Sequence, residues 1–208
     1  MKWFDLSHPV DNTTAVYPGD QPVKLVQSRW MARDHYNGFT LSSGMHAGTH
    51  VDVPLHLMDH PLTVWEYPLE RFTGPGRLLP CPAQGVIEPT AEWEALETGE
   101  IPLLVTGWDA HFGRADYFSS HPVLSDKAAD FLIERGVGMV VLDTPSPDRS
   151  PFPVHKKLLA AGILIVENAA DLGALRPYSR FTFQALPLKL PTEASLVRAA
   201  AFTEEENG

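Results

Sequence analysis

Short apolar runs separated by turn residues are the dominant pattern along this chain, and the second half shows it most clearly. Ser125 is a favoured helix N-cap residue, and apolar residues follow it at helical spacing as far as Gly136, a typical helix end. A second short helix is predicted over residues 154–161, before Gly162. Runs rich in β-branched and other apolar residues predict strands over residues 39–45, 103–106, 137–142, 163–166, 181–186 and 195–202.

The order of these elements predicts the fold class. Strands and helices alternate in the second half, whereas the first half is mostly strand and loop, so we expect a mixed α/β fold in which a few helices pack on a sheet of mixed direction. Glycine and proline are spread evenly through the 208 residues, without a linker or repeat, and this indicates a single domain over residues 1–208. Residues 203–208, which include three consecutive glutamates, are expected to form a solvated end.

Composition and charge narrow the functional classes. The chain is 44% hydrophobic and carries a formal net charge of −10, which excludes general disorder and argues against a surface that follows nucleic-acid phosphates. No apolar run reaches membrane-spanning length, no signal peptide is visible, and Cys81 is the single cysteine. We therefore expect a cytoplasmic protein without an intrachain disulfide and without a membrane or nucleic-acid partner.

Four of the nine histidines lie between positions 46 and 60, and their spacing favours one backbone geometry. On a helix, Asp52 would point about 200° away from His50, at roughly 100° per residue. In an extended segment, His46, His50 and Asp52 fall on one side. Glycine, β-branched residues and Pro54 disfavour a helix here, so we predict an extended segment that brings two imidazoles and a carboxylate together.

Two neutral nitrogens and one anionic oxygen are a suitable ligand set for a divalent cation of the zinc type, with positions left for water. A further histidine, His56, follows two residues after Pro54. The alternative is a polar loop whose histidines are surface residues, which is the interpretation we give to His60 in its turn-like setting. The pattern predicts a divalent metal site.

A second candidate half-site lies about a hundred residues further on. His155 falls in the predicted helix, and Glu167 follows four aliphatic residues at the end of a predicted strand, where α/β proteins often hold ligands. The alternatives are a solvent-facing histidine beside two lysines and a solvated strand end. The spacing alone leaves both possibilities open.

These motifs resemble those of a known family. The run His46-x-Gly48-Thr49-His50-x-Asp52-x-Pro54-x-His56 is similar to the signature of the bacterial cyclase family, which includes kynurenine formamidase (arylformamidase) and isatin hydrolase. The resemblance extends over nearly the whole chain and includes Tyr17-Pro18-Gly19-Asp20, residues 142–146, His155 with Glu167, and residues 185–189.

The resemblance implies a swivelling β/β/α domain that assembles as a homodimer or homotetramer. It implies that His46, His50 and Asp52 bind a first metal, and that Asp52 bridges to a second metal held by His155 and Glu167. Formamidases of the family tend to use zinc, often as a pair, and isatin hydrolases are associated with manganese. Zn²⁺ is therefore the favoured cofactor, with one or two ions per subunit, and Mn²⁺ is the alternative.

The resemblance also implies an activity. We expect metal-dependent hydrolysis of an amide-type C–N bond in a small molecule, with His56 as proton donor and acceptor and with N-formylkynurenine, which yields kynurenine and formate, as the favoured substrate. A lactam or imide hydrolase of the isatin hydrolase type is the alternative, and so is a metal-binding protein without turnover. Tyr17 stands where formamidases commonly carry a tryptophan against the substrate ring, so we expect it to bind substrate. The serine-hydrolase motif Gly-x-Ser-x-Gly is absent.

Overall fold

A nine-stranded mixed sheet organises the computed structural model, which describes residues 1–204. In chain order the strands of this described part are β1 (Lys2–Asp5), β2 (Lys24–Arg29), β3 (Gly38–Ser42), β4 (His50–Asp52), β5 (Thr73–Pro80), β6 (Val86–Ile87), β7 (Ile101–Val105), β8 (Val123–Leu124), β9 (Met139–Leu142), β10 (Leu164–Glu167), β11 (Phe181–Gln184), β12 (Ala194–Leu196) and β13 (Ala200–Thr203). Its α-helices are α1 (Met31–Asp34), α2 (Tyr117–Ser120), α3 (Asp126–Glu134) and α4 (Pro153–Ala160). None of these helices is long and apolar enough to cross a membrane.

The strand order in the main sheet is β1-β13-β11-β5-β7-β9-β10-β4-β12. The four central strands, β5, β7, β9 and β10, run parallel, and the strands on both flanks pair antiparallel. Helix α3 precedes β9 and α4 precedes β10, which gives the crossover connections that parallel neighbours require. The expected mixed α/β fold with few helices is confirmed.

Successive side chains of the central strands point to opposite faces of the sheet and pack into two separate hydrophobic layers. In β9, Val140 and Leu142 pack beneath α3 and α4, whereas Met139 and Val141 face the opposite layer. That second layer also contains buried residues of the flanking strands, such as Phe183 in β11, because the sheet curls around it. The sheet is therefore buried on both faces at its centre, where the parallel strands lie.

The helix signals in the sequence are confirmed. The Ser125 hydroxyl caps α3 by accepting a hydrogen bond from the Ala128 amide at 3.0 Å. Gly136 follows the helix with φ +66°, a left-handed conformation that glycine adopts without strain.

The expected single strand over residues 195–202 is wrong. It is two strands, since β12 pairs with β4 at one end of the sheet and β13 lies between β1 and β11 near the other end. Between them, the Val197 amide donates to the Thr49 carbonyl and the Ala199 carbonyl accepts from the Leu6 amide, so the backbone bonds to loops there. Of the expected C-terminal tail, Thr203 pairs with Lys2, and residues 205–208 lie outside the described residues.

Candidate metal centre

Strand β4 supplies two side chains to a polar cluster on the helix side of the sheet. His50 and Asp52 point to this side because Val51, between them, is buried in the opposite hydrophobic layer. Strand β10 pairs antiparallel with β4, and its register places Glu167 directly opposite His50. The distance from His50 Nε2 to Glu167 Oε2 is 3.3 Å, and from His50 Nε2 to Asp52 Oδ1 it is 3.6 Å.

Helix α4 packs above β10 and contributes His155. His155 Nε2 lies 3.3 Å from Asp52 Oδ2, and His155 Nδ1 lies 3.8 Å from Glu167 Oε1. The Asp148 carboxylate accepts hydrogen bonds from the Val154 and His155 amides, which fixes the first turn of α4. The two sequence-predicted half-sites are therefore brought together around Asp52.

His46 lies in the cluster, but the backbone that places it there differs from the expected extended segment. The extended segment predicted from residue 46 onward is wrong before His50, because residues 45–49 form turns and Gly48 has φ +61°. The turns fold back over β4, and His46 Nδ1 lies 3.1 Å from Asp52 Oδ1. His46 and Asp52 meet, but tertiary folding rather than strand parity brings them together.

Glu193 is a residue of this cluster that the sequence did not indicate. It precedes β12, the strand that pairs with β4, and its Oε1 lies 3.4 Å from His46 Nε2. Its hydrogen bond with His46 holds the pKa of Glu193 below its ordinary value and outweighs burial, which acts in the opposite direction. It sits in a loop without a recognisable motif, so only the pairing of β12 with β4 reveals its position.

His56 stands in a single 3-10 turn, Pro54–His56, directly after β4. Its ring centroid is 4.2 Å from that of His46 and 5.4 Å from that of His155. Two sets of three residues bring one ligand atom each to within 4.8 Å of the others, and both include Asp52: His46, Asp52 and His56, and His50, Asp52 and Glu167. His60 belongs to neither set.

The cluster contains buried polar atoms that make no well-directed hydrogen bond within the described part of the chain. These are His50 Nε2, both carboxylate oxygens of Asp52, His155 Nε2 and Glu167 Oε1. Burying polar atoms without a well-directed hydrogen bond is costly, and proteins rarely tolerate it. Several converging nitrogen and oxygen donors of this kind fit a divalent metal ion, which would satisfy them together.

The carboxylates and histidines of the cluster shift one another's pKa values. Burial alone would raise the pKa of Asp52, but His50 and His46 outweigh it and hold the pKa well below its ordinary value. Burial alone would lower the pKa of His46, but Asp52 and Glu193 raise it to about 10. Burial lowers the pKa of His56 to about 4. The anionic Asp52 therefore favours positive charge at His46, whereas burial outweighs its effect at His56.

A cavity of about 240 Å³ opens onto the cluster. Its walls away from the histidines are largely apolar, formed by Tyr17, Leu57, Phe118, Pro145 and Phe152. The Tyr17 and Phe118 rings meet edge to face with centroids 5.6 Å apart, and Tyr17 is 42% exposed at the entrance. A small planar or aromatic molecule fits such a cavity, with its polar end toward the histidines.

Comparison with known proteins identifies relatives along the whole chain. Residues 4–149 match the family model "Cyclase", described as "Putative cyclase". Kynurenine formamidase from Bacillus cereus is 31% identical over 206 residues, which cover 95% of this chain and 96% of that protein.

Solved structures show the same fold. Isatin hydrolase A from Labrenzia aggregata, bound to benzyl benzoate, has a TM-score of 0.87 and 24% identity, and the match covers 98% of this chain and 94% of that one. A structure described as a potential metal-dependent hydrolase with cyclase activity has a TM-score of 0.77 and 24% identity, with 99% of both chains covered.

Proposed function

This chain belongs to the Cyclase family and is a hydrolase of it, and we propose that it uses a divalent metal to hydrolyse an amide-type C–N bond, with an N-formyl arylamine as the substrate class. The observation that carries the proposal is the convergence of unsatisfied buried donor atoms on Asp52, at the base of a cavity with aromatic walls. The relative from Bacillus cereus, named for the hydrolysis of such a formamide, supports the substrate class.

The metal ligands that we propose are Asp52 and the four residues around it. His46, His50 and Asp52 would hold a first ion. Asp52 would bridge to a second ion held by His155 and Glu167, because each of its two oxygens faces a different histidine at 3.1 and 3.3 Å. Mixed nitrogen and oxygen donors suit Zn²⁺, with Mn²⁺ as the alternative.

A metal ion in such a site lowers the pKa of water and polarises a carbonyl oxygen. His56 borders the cavity beside the proposed ligands, where it can accept a proton from the attacking water and return it to the leaving nitrogen. The aromatic walls at Tyr17, Phe118 and Phe152 would hold the arylamine ring so that the formyl group faces His56. The products would be formate and the free arylamine.

A cyclic amide, such as the lactam ring of isatin, is the second candidate substrate class. The observation that favours it is Tyr17 at the cavity entrance, in the position where formamidases of the family commonly carry a tryptophan. The same metal and proton-transfer groups would serve, but the leaving nitrogen would stay attached to the product.

A substrate screen tests the proposal. The purified protein, loaded with Zn²⁺ or Mn²⁺, is assayed on N-formylkynurenine, isatin and simple cyclic imides, while bound metal is measured by elemental analysis. We expect the fastest turnover on the N-formyl arylamine and none after chelation. Preference for isatin would support the second candidate, and bound metal without turnover of any amide would indicate a metal-binding protein.

The stoichiometry of metal distinguishes one ion from two. Titration of the apoprotein with Zn²⁺ should saturate at two equivalents per chain, and His155→Ala should lose the weaker one. Saturation at one equivalent in both proteins would eliminate the two-metal arrangement and leave the first site intact.

We also propose that the protein assembles as a homodimer or homotetramer. One face of the β2–β3 hairpin exposes apolar side chains that an interface would cover, Phe39 at 61% and Leu41 at 52% exposure. Light scattering on the purified protein measures the assembly, and Phe39→Ser should weaken it. A monomer at micromolar concentration would contradict this proposal.

A further inference from the structure

We propose that Tyr117 and Asn168 are positioning residues that prepare His50 for metal binding by holding the carbonyl oxygen of Gly48. This inference rests on the proposed function, since it assigns a role toward the same metal. Neither Tyr117 nor Asn168 is among the proposed ligands, and both are buried beside the cluster.

The carbonyl oxygen of Gly48 receives two side chains. His50 Nδ1 lies 2.8 Å from it, and Asn168 Nδ2 lies 3.0 Å from it. A carbonyl oxygen only accepts hydrogen bonds, so both nitrogens must donate. His50 Nδ1 therefore carries a proton, which leaves Nε2, the ring nitrogen that faces Asp52 and Glu167, as the atom that can bind a metal.

Asn168 holds this carbonyl because its own polar groups are fixed on every side. Its side-chain Oδ1 accepts a hydrogen bond from the Tyr117 hydroxyl at 2.7 Å. Its backbone carbonyl accepts one from the Thr49 hydroxyl at 2.6 Å, and its backbone amide donates one to the Thr144 carbonyl at 3.0 Å. Asn168 has φ +56°, a left-handed conformation that asparagine tolerates better than most residues.

Tyr117 fixes the direction of the Asn168 amide. Its side chain is fully buried, and burial holds the pKa of its hydroxyl well above the ordinary value, so the hydroxyl keeps its proton. With that hydroxyl donating to Oδ1, the amide NH₂ group is directed toward Gly48. Tyr117 therefore donates to Asn168 and Asn168 donates to the Gly48 carbonyl, which also accepts from His50, so these contacts connect α2 to the metal cluster.

Matched variants separate this role from a general effect on folding. Tyr117→Phe removes only the hydroxyl, and Asn168→Gly removes the amide but keeps a residue suited to positive φ. Tyr178→Phe is the control, because it makes the same deletion at another buried tyrosine, near Phe4 rather than the cluster. Urea unfolding in EDTA verifies that each variant is folded.

Two measurements on the apoprotein test the inference. Competition with a chromophoric chelator should show Zn²⁺ binding weakened by about 10–100-fold in Asn168→Gly, by about 2–10-fold in Tyr117→Phe, and unchanged in the control. In the Asn168→Gly background, Tyr117→Phe should have no further effect, because it acts through that amide. Nitrogen-15 spectra of the imidazoles should show the wild-type His50 protonated on Nδ1.

The inference is overturned if Tyr117→Phe and Asn168→Gly both bind Zn²⁺ as tightly as the wild type, or if their effects simply add. It is also overturned if Nδ1 of the wild-type His50 carries no proton. Should Asn168→Gly not fold, Tyr117→Phe and the imidazole spectrum decide the matter. Tight Zn²⁺ binding without turnover of any amide would refute the proposed function and leave this inference standing.

Discussion

His50 and Glu167 lie directly opposite each other on the antiparallel strands β4 and β10, with His50 Nε2 3.3 Å from Glu167 Oε2. Directly opposite residues in a sheet point to the same side, so this register places both side chains with Asp52 beneath α4. Two residues far apart in the sequence thus form one buried polar pair. A one-residue slip of β10 would turn Glu167 into the opposite hydrophobic layer.

Loss of the His50 imidazole should strip the metal. In His50→Ala, the protein loses a nitrogen donor at the buried centre of the cluster, and Asp52 and Glu167 lose that neighbour. Elemental analysis of the purified variant should show bound metal reduced at least tenfold. His60→Ala is the matched control, because His60 follows the same motif but lies outside both sets of possible ligands. Wild-type metal content in His50→Ala would remove His50 from the ligand set.

His56→Ala separates proton transfer from metal binding. If His56 is the proton donor and acceptor, the variant should keep its metal while kcat falls by roughly 10²–10⁴-fold, the usual contribution of one acid–base group. Metal content and turnover are measured on the same preparation. Loss of metal together with activity would make His56 a ligand, which its grouping with His46 and Asp52 allows, and full activity would make it a bystander.

His121 should make the folded protein sensitive to acid. Burial, with a smaller effect of Arg149, lowers the pKa of His121 to about 4 and outweighs nearby backbone groups that would raise it. The unfolded chain takes up this proton near pH 6.5, so stability present above that pH is lost as the pH falls toward 4. Between pH 7.5 and 5, we expect this residue to cost about 1–2 kcal/mol of unfolding free energy.

Urea unfolding in EDTA at the two pH values measures this effect. His121→Phe keeps a planar ring but cannot be protonated, so it should lose less stability than the wild type on acidification. His35→Asn, at an exposed histidine with positive φ, should follow the wild type. Equal losses in the wild type and His121→Phe would contradict the prediction.

Gly76 has no room for a side chain. A methyl group at this position in β5 would lie 2.1 Å from a ring carbon of Phe181, which faces it on β11. Gly76→Ala should therefore lower the unfolding free energy by about 1–3 kcal/mol, because the buried ring must move. Gly138→Ala is the control, since its nearest contact would be the Arg71 side chain at 3.8 Å. A stability equal to that of Gly138→Ala would show that Phe181 shifts without cost.

The sequence alone determined those secondary-structure elements that depend only on residues close together in the chain. The Ser125 cap and Gly136 end define α3 because capping depends on residues within one turn. Alternation placed His50 and Asp52 together because the period of a strand is two. The motif around these residues also indicated the family, because its histidines and aspartate lie close together in one short segment.

Only the tertiary structure decided which distant segments meet. The sheet register brings Glu167 opposite His50, and the pairing of β12 with β4 delivers Glu193 to His46. Residues 195–202 divide into two strands for the same reason. Strand β12 ends where the backbone forms hydrogen bonds to distant loops, although the apolar pattern continues. Tyr117 came to the cluster through the packing of α2. Such contacts depend on pairing between distant segments, and the residues next to each segment carry no signal of it. A single sequence therefore predicts the histidines and the aspartate of one motif, but not the residues from other segments that contact them.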